Sequence, residues 1–131
     1  MKEKQYFLTL DLKDDESLIR LYEEYHKPEN VWPEVISSLA ISGIRVMDIF
    51  RFETRLVMRI LVNNNFNFKN KAELDKENVK VQEWEELMLK FQAVLPGENN
   101  ESKWQLMSKV CSYDLSADCI PTNNFHLLGG L

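Results

Sequence analysis

The stretch IRVMDIFRFETRLVMRILV, residues 44–62, decides the fold. Two runs rich in Val, Ile, Phe and Leu flank Glu53 and Thr54, and so short a connection reads as a tight hairpin between two antiparallel strands. In the first run Asp48 takes the same alternation as Ile44, Val46, Phe50 and Phe52. One carboxylate among four apolar side chains is either a satisfied structural group or a group that binds a hydroxyl.

On the N-terminal side of the hairpin, QYFLTLDL (residues 5–12) alternates Tyr6, Leu8, Leu10 and Leu12 against more polar positions, the pattern of a strand buried mainly on one face. KDDES follows, with Asp14 or Asp15 placed to cap a helix. Leu18, Leu21, Tyr22 and Tyr25 then recur at helical spacing until Pro28. A second helix is expected from Pro33, where the missing N–H costs nothing in a first turn, to Gly43, with Val35, Ile36, Leu39 and Ala40 as its apolar stripe.

On the C-terminal side, NNNFNF is a loop. A short helix is expected over Lys69–Lys76 and a longer one from Val79 to about Gln92, with Val81, Trp84, Leu87, Met88 and Phe91 on one side. LPGENNES (residues 95–102) reads as a turn-rich connection. A last strand is expected from Lys103 to Tyr113, alternating Trp104, Leu106, Ser108 and Val110 against Gln105, Met107, Lys109 and Cys111. The order is β, two helices, β, β, two helices, β. That is an α+β fold of the ferredoxin-like type, an antiparallel sheet with helices on one face. Apolar residues expected on the other face, Phe7, Met47 and Ile49, invite a second copy, so a homodimer is expected. The domain is expected to span residues 1–114. Residues 115–131, aperiodic and carrying Pro121, Gly129 and Gly130, read as a tail.

The chain has 131 residues, 44% hydrophobic and 28% charged, enough for one sizeable core. A net charge of −5 argues against a phosphate-binding surface, and no nucleic-acid partner is expected. No apolar run approaches the roughly 20 residues of a membrane span. The N-terminus does not read as a signal peptide. Cys111 and Cys119, eight apart and without a CxxC or His pattern, read as free thiols in a reducing cytoplasm.

Against that background LYEEYHKPENVWPE, residues 21–34, carries the chemistry. Tyr22 and His26 are four apart on one helix, so a phenol and an imidazole share a face and form a possible acid/base pair. His26 in the last helical turn would have its protonated form favoured by the helix dipole. A helix-end histidine can equally cap a carbonyl or pack at a corner. Trp32-Pro33-Glu34 reads as a helix start. Trp84 and Glu85 offer either a ring for a sugar to stack on and a carboxylate for its hydroxyls, or core packing beside a solvated acid. There is no Gly-rich phosphate loop and no metal-ligand pattern, and His126 is expected to be exposed.

YEEYHKPENVWPE, the strands IRVMDIFRF and RLVM, VQEWEELM and KWQLMSKV together resemble, in order over residues 4–114, the L-rhamnose mutarotase family. The resemblance implies a dimeric α+β barrel with a monosaccharide site in each subunit and no cofactor. Activity would be the interconversion of α and β anomers of a 6-deoxy-hexose, L-rhamnose or its close competitor L-fucose. Carried over by motif, His26 matches the family's catalytic histidine, Tyr22 its sugar-contacting tyrosine and Trp84 the first of an aromatic pair. The chain departs at Met47, where rhamnose-type members tend to carry tyrosine, and at Glu85, where they carry a second tryptophan. It also has two more residues between His26 and Trp32. These differences alter the walls that choose the sugar and leave the acid/base centre.

The chemistry is modest. Ring opening removes the anomeric hydroxyl proton and protonates the ring oxygen, and closure reverses both steps. A single histidine can serve both roles near neutral pH. The rival expectation is a non-catalytic ligand-binding or dimerisation module, since this scaffold hosts many functions. A cofactor-free oxygenase on a similar barrel is a third.

Overall fold

The hairpin forms as expected. In a computed structural model that describes residues 4–93 and 103–116, β2 (Ile44–Phe52) and β3 (Arg55–Val62) pair antiparallel from Phe52↔Arg55 to Ile44↔Val62. The turn needs a left-handed residue at Glu53, φ 53°, and Arg51 Nη1 donates to the Glu53 carbonyl at 2.9 Å. β1 (Lys4–Leu12) lies antiparallel along the other edge of β3, from Lys4↔Val62 to Asp11↔Arg55. The far edge of β1 carries two short strands, β4 (Gln92–Ala93) at its C-terminal end and β5 (Gln105–Leu106) at its middle. The sheet order β2-β3-β1-β4 is that of a ferredoxin-like α+β fold. Among the described residues no helix is long and apolar enough to cross a membrane.

Four helices of ten residues each carry the chain back across one face: α1 (Glu16–Tyr25), α2 (Pro33–Ser42), α3 (Phe68–Glu77) and α4 (Val79–Met88). Asp15, Asn67 and Asn78 cap α1, α3 and α4 by accepting from the N–H groups of Leu18, Asn70 and Val81. The break between α1 and α2 follows from Pro28, which disfavours helical geometry at Lys27. Asn30 closes it, donating from Nδ2 to the Glu24 carbonyl at 2.9 Å.

Gly43 ends α2 at φ 103°, and a Cβ there would lie 2.7 Å from Asn63 Oδ1. Gly43→Ala therefore combines left-handed strain with a close contact at the start of β2. We expect it to lower stability by about 1–3 kcal/mol in a urea titration, with the slope unchanged.

Several sequence expectations change. A bulge between Ile44 and Val46 shifts the alternation of β2. Ile44, Met47 and Ile49 therefore face the helices, opposite Val62, Ile60 and Met58. Val46, Asp48, Phe50 and Phe52 face away, opposite Leu61, Arg59, Val57 and Arg55. Met47 and Ile49 are thus not on the uncovered face, and Asp48 does not share a face with Ile44. On that outer face Asp48 Oδ2 accepts from Arg59 Nη1 at 2.9 Å, and Arg59 Nε donates to Gln5 Oε1 at 2.6 Å. Asp48 is a paired carboxylate on the side of the sheet away from the helices.

The long helix stops at Met88 rather than Gln92. Buried Phe91 turns the chain so that Gln92 and Ala93 can pair with Leu12 and Asp11. The last strand is also shorter than Lys103–Tyr113. After Leu106, the Met107 N–H still donates to the Phe7 carbonyl at 2.8 Å, and residues 107–116 then carry no ladder of their own among the described residues. The connection over 95–102 and the tail beyond Ser116, with Cys119 and His126, lie outside the described residues; Cys111 is exposed as a free thiol.

Candidate active site

Each pair of helices breaks halfway along the sheet. Ten helical residues advance about 15 Å, the length of about four to five strand residues. The chain leaves β1 at Leu12 and re-enters the sheet at Ile44, level with Val62 and Lys4, so α1 covers one half of that run and α2 the other. The core divides accordingly. Leu10, Leu12, Tyr22, Leu56, Trp84, Met88 and Phe91 form one buried cluster, and Leu8, Ile44, Ile60 and Val62 form a second.

Between the clusters the inward face of the sheet is left partly open. On β3 Leu56 is 1% exposed and Ile60 2%, yet Met58 between them on the same face is only half-buried. Its neighbour on β2, Ile49, and Met47 beside it are half-buried as well. Inward side chains that water still reaches mark a gap at mid-sheet between the two clusters.

His26 is the C-cap residue of α1. Its Nδ1–H donates to the Tyr22 carbonyl at 2.7 Å, which fixes the neutral ring as the Nδ1–H tautomer and leaves Nε2 with a free lone pair. The imidazole lies 4.1 Å from the Tyr22 ring, tilted 32°, and 5.4 Å from Trp84, edge to face. Burial among these rings pulls its pKa below the ordinary histidine value, and the carbonyl contact only partly opposes that. The expectation that the helix end favours the protonated form is therefore reversed.

Tyr22 is 3% exposed, and burial pushes its phenol far above the ordinary tyrosine range. It stays protonated, a hydrogen-bond donor and not a base. Its hydroxyl has no hydrogen-bond partner among the described residues. The ring is buried while the hydroxyl is left available to a ligand or water, since it is not among the buried orphaned atoms of the described residues.

Trp84 is the hub of the aromatic group. Its ring meets His26, Trp32 at 5.2 Å and Tyr25 at 6.2 Å, all edge to face. Trp32, read from sequence as a helix start, does precede Pro33 as the N-cap of α2, and it also packs against Trp84 beside His26. No sequence spacing links Trp32 to Trp84; only the fold of α2 against α4 does.

Two residues expected at the site stand apart from this group. Glu85 is one residue on from Trp84, about 100° round the helix, and turns toward α3. Its Oε2 accepts from Gln82 Nε2 at 3.3 Å, and its half-buried carboxyl is held above the usual range by burial, with Lys103, Asp75 and Lys71 adding smaller effects of both signs. Met47 packs on the second cluster, with Leu8, Ile44, Ile60 and Val62. Sequence reading passed over Trp104, which packs on both clusters. Among the described residues no three His, Cys, Asp or Glu side chains converge as metal ligands.

A neutral base packed among aromatic rings with a protonated phenol beside it suits proton transfer on a small polyhydroxylated ligand. Comparisons with known proteins give the family. The family model for L-rhamnose mutarotase matches residues 5–113. An L-fucose mutarotase of Xanthomonas campestris pv. campestris is 42% identical over 102 residues, 78% of this chain and 82% of that protein. A UPF0734 protein of Dictyostelium discoideum is 38% identical over 107 residues, covering 77% of this chain and 82% of that protein. The crystal structure of an L-rhamnose mutarotase from Formosa agariphila superimposes with a TM-score of 0.61 at 18% identity, over 85% of this chain and 99% of that one, a likeness of fold. With the match running through both halves of the sheet and every helix, the chain belongs to the L-rhamnose mutarotase family.

Proposed function

We propose that this sugar mutarotase interconverts the α and β anomers of a 6-deoxy-hexose, with L-fucose ahead of L-rhamnose, and that His26 moves the proton. The observation that carries the reading is the His26 Nδ1–H bond to the Tyr22 carbonyl, which leaves Nε2 as a free base in a water-poor aromatic setting. Nε2 takes the proton from the anomeric hydroxyl as the bond from C1 to the ring oxygen breaks and the aldehyde forms. The imidazolium then returns a proton to the former ring oxygen, which sits on the same carbon before opening. Rotation about C1–C2 and reversal of these steps give the other anomer. Tyr22, held protonated, donates a hydrogen bond to a sugar oxygen. Trp84 supplies an apolar wall. Met47, half-buried on the inward face of the sheet, is a position at which the choice of sugar is set.

L-Fucose is placed first because a relative at 42% identity is named for it, and because Met47 and Glu85 depart from the aromatic residues that the resemblance to rhamnose-type members implies. Saturation-transfer NMR across L-fucose, L-rhamnose and several D-hexoses tests the reading. Faster exchange is expected for the two 6-deoxy sugars, L-fucose most of all. Acceleration of none of them would leave a binding module as the better description.

The working unit is proposed to be a homodimer. The outer sheet face presents Phe7, Val46, Phe50 and Phe52, with Phe52 78% exposed, and the polar residues across it, Gln5, Arg59 and Asp48, are bonded to one another. The segment 107–116 adds Met107, Val110 (95% exposed), Tyr113 and Leu115. Light scattering is expected to give twice the 15.5 kDa chain mass for the native protein, and the chain mass alone for Phe50→Asp/Phe52→Asp. A native protein that runs as a monomer at micromolar concentration would remove the dimer from the proposal.

A further inference from the structure

Resting on the mutarotase reading above, we propose that Trp104 contacts the sugar, forming the wall of the mid-sheet gap on the β1 side and favouring a methyl group over a hydroxymethyl at C6. Trp104 alone among the described residues packs against both buried clusters, so its ring spans the gap that separates them. It stands one residue ahead of the Thr9↔Gln105 pair, level with Leu10 of the first cluster, and it also packs on the cluster that holds Leu8, the least buried core residue of β1. The ring is half-buried, and its indole N–H has no hydrogen-bond partner among the described residues.

Its position is held from both sides. Lys103 Nζ donates to the Glu85 carbonyl at the end of α4 at 3.2 Å, and Gln105 and Leu106 are paired to β1. A tryptophan fixed by its neighbours, open on part of its ring and with a free donor, offers what a sugar recognises: an apolar surface for its C–H face and one hydrogen bond. The half-buried Met58 and Ile49 face the same gap and are apolar as well. Beyond the single indole N–H, which is proposed to serve a ring hydroxyl, that wall has nothing to replace the water lost by a C6 hydroxyl, whereas a methyl group loses none.

The test compares L-fucose with L-galactose, its 6-hydroxy counterpart, by saturation-transfer NMR over a range of sugar concentrations. For Trp104→Ala we expect KM for L-fucose to rise about tenfold with kcat within about twofold, and the preference for L-fucose over L-galactose to shrink by a similar factor. Trp104→Phe keeps a ring between the two clusters and guards against a folding failure. In this variant we expect the sugar-dependent change in tryptophan emission to fall by more than half while the melting temperature stays close to the native value. A folded Trp104→Ala protein with native KM and native preference overturns the proposal, as does Trp104→Phe with an unchanged emission response. If the native protein accelerates exchange of neither sugar, the mutarotase reading fails first, which separates that outcome from a failure of Trp104.

Discussion

Replacing His26 with alanine is expected to slow anomer exchange on L-fucose by about 10²–10⁴-fold at neutral pH, the range that one placed acid/base group supplies. The geometry singles out this residue. Its Nδ1 is committed to the Tyr22 carbonyl, its Nε2 is free, and burial keeps the ring neutral and therefore basic at the pH where it works. Tyr22→Phe removes a hydroxyl that is never ionised there, so the loss should be about tenfold, the worth of one neutral hydrogen bond. Saturation-transfer NMR reads both variants. Native exchange rates in His26→Ala would sink the assignment, and a larger loss in Tyr22→Phe would exchange the roles of the two residues.

The lowered pKa of His26 also sets a pH dependence with a definite sign. The exchange rate of the native enzyme should be level above the ordinary histidine value of about 6.5 and fall as pH drops through the lower folded value, because the protonated ring cannot accept the anomeric proton. Stability follows the same direction. In the folded protein the ring resists protonation, so below the unfolded pKa the unfolded chain binds the proton more readily. The contribution of His26 is therefore complete above that value and is lost as pH falls toward the folded pKa. His26→Ala should flatten both curves in this window.

The features legible in the sequence were those set by neighbours along the chain. The two strands around Glu53-Thr54, the Asp15 cap, the Gly43 terminator and the Tyr22–His26 spacing each depend on residues within about four positions of one another, and each is where it was expected. What failed depended on a partner. The bulge at Arg45 is invisible to alternation along β2 alone, and it turned Met47 and Ile49 inward and put Asp48 on the opposite face. Phe91 ends a helix that its spacing would extend, because its burial under Tyr22 and Tyr25 outweighs one more helical turn. Trp32 and Trp104 came to the site through packing between elements far apart in sequence, which no spacing could reveal. Glu85 was placed beside Trp84 by adjacency, whereas one helical step separates their directions by about 100°.

Phe91→Ala is expected to be the most damaging single truncation in the core, costing about 3–5 kcal/mol. The side chain is 1% exposed, sits edge-on to Tyr22 at 6.0 Å and lies against Tyr25 at 5.9 Å. It belongs to the cluster that includes Leu10, Leu12, Tyr22, Leu56, Trp84 and Met88, contributed by two strands and two helices. Tight packing on every side leaves the neighbours little room to collapse into the space. Against a typical total of about 5–15 kcal/mol the loss should lower the melting temperature by roughly 10–20 °C. The Lys13 N–H bond to the Phe91 carbonyl, 2.8 Å, involves only backbone and survives the change. The consequence for activity follows from position. Phe91 supports the ring of Tyr22, and Tyr22 supports His26 through both its ring and its carbonyl, so exchange should slow several-fold well below the melting temperature although no reacting group is lost. His26→Ala should show the converse, a small change in melting temperature with nearly complete loss of exchange. Calorimetry and NMR on the two variants thus separate the scaffold from the chemistry. A Phe91→Ala protein that melts within a few degrees of native would mean that this ring is not the keystone of the cluster beneath the site.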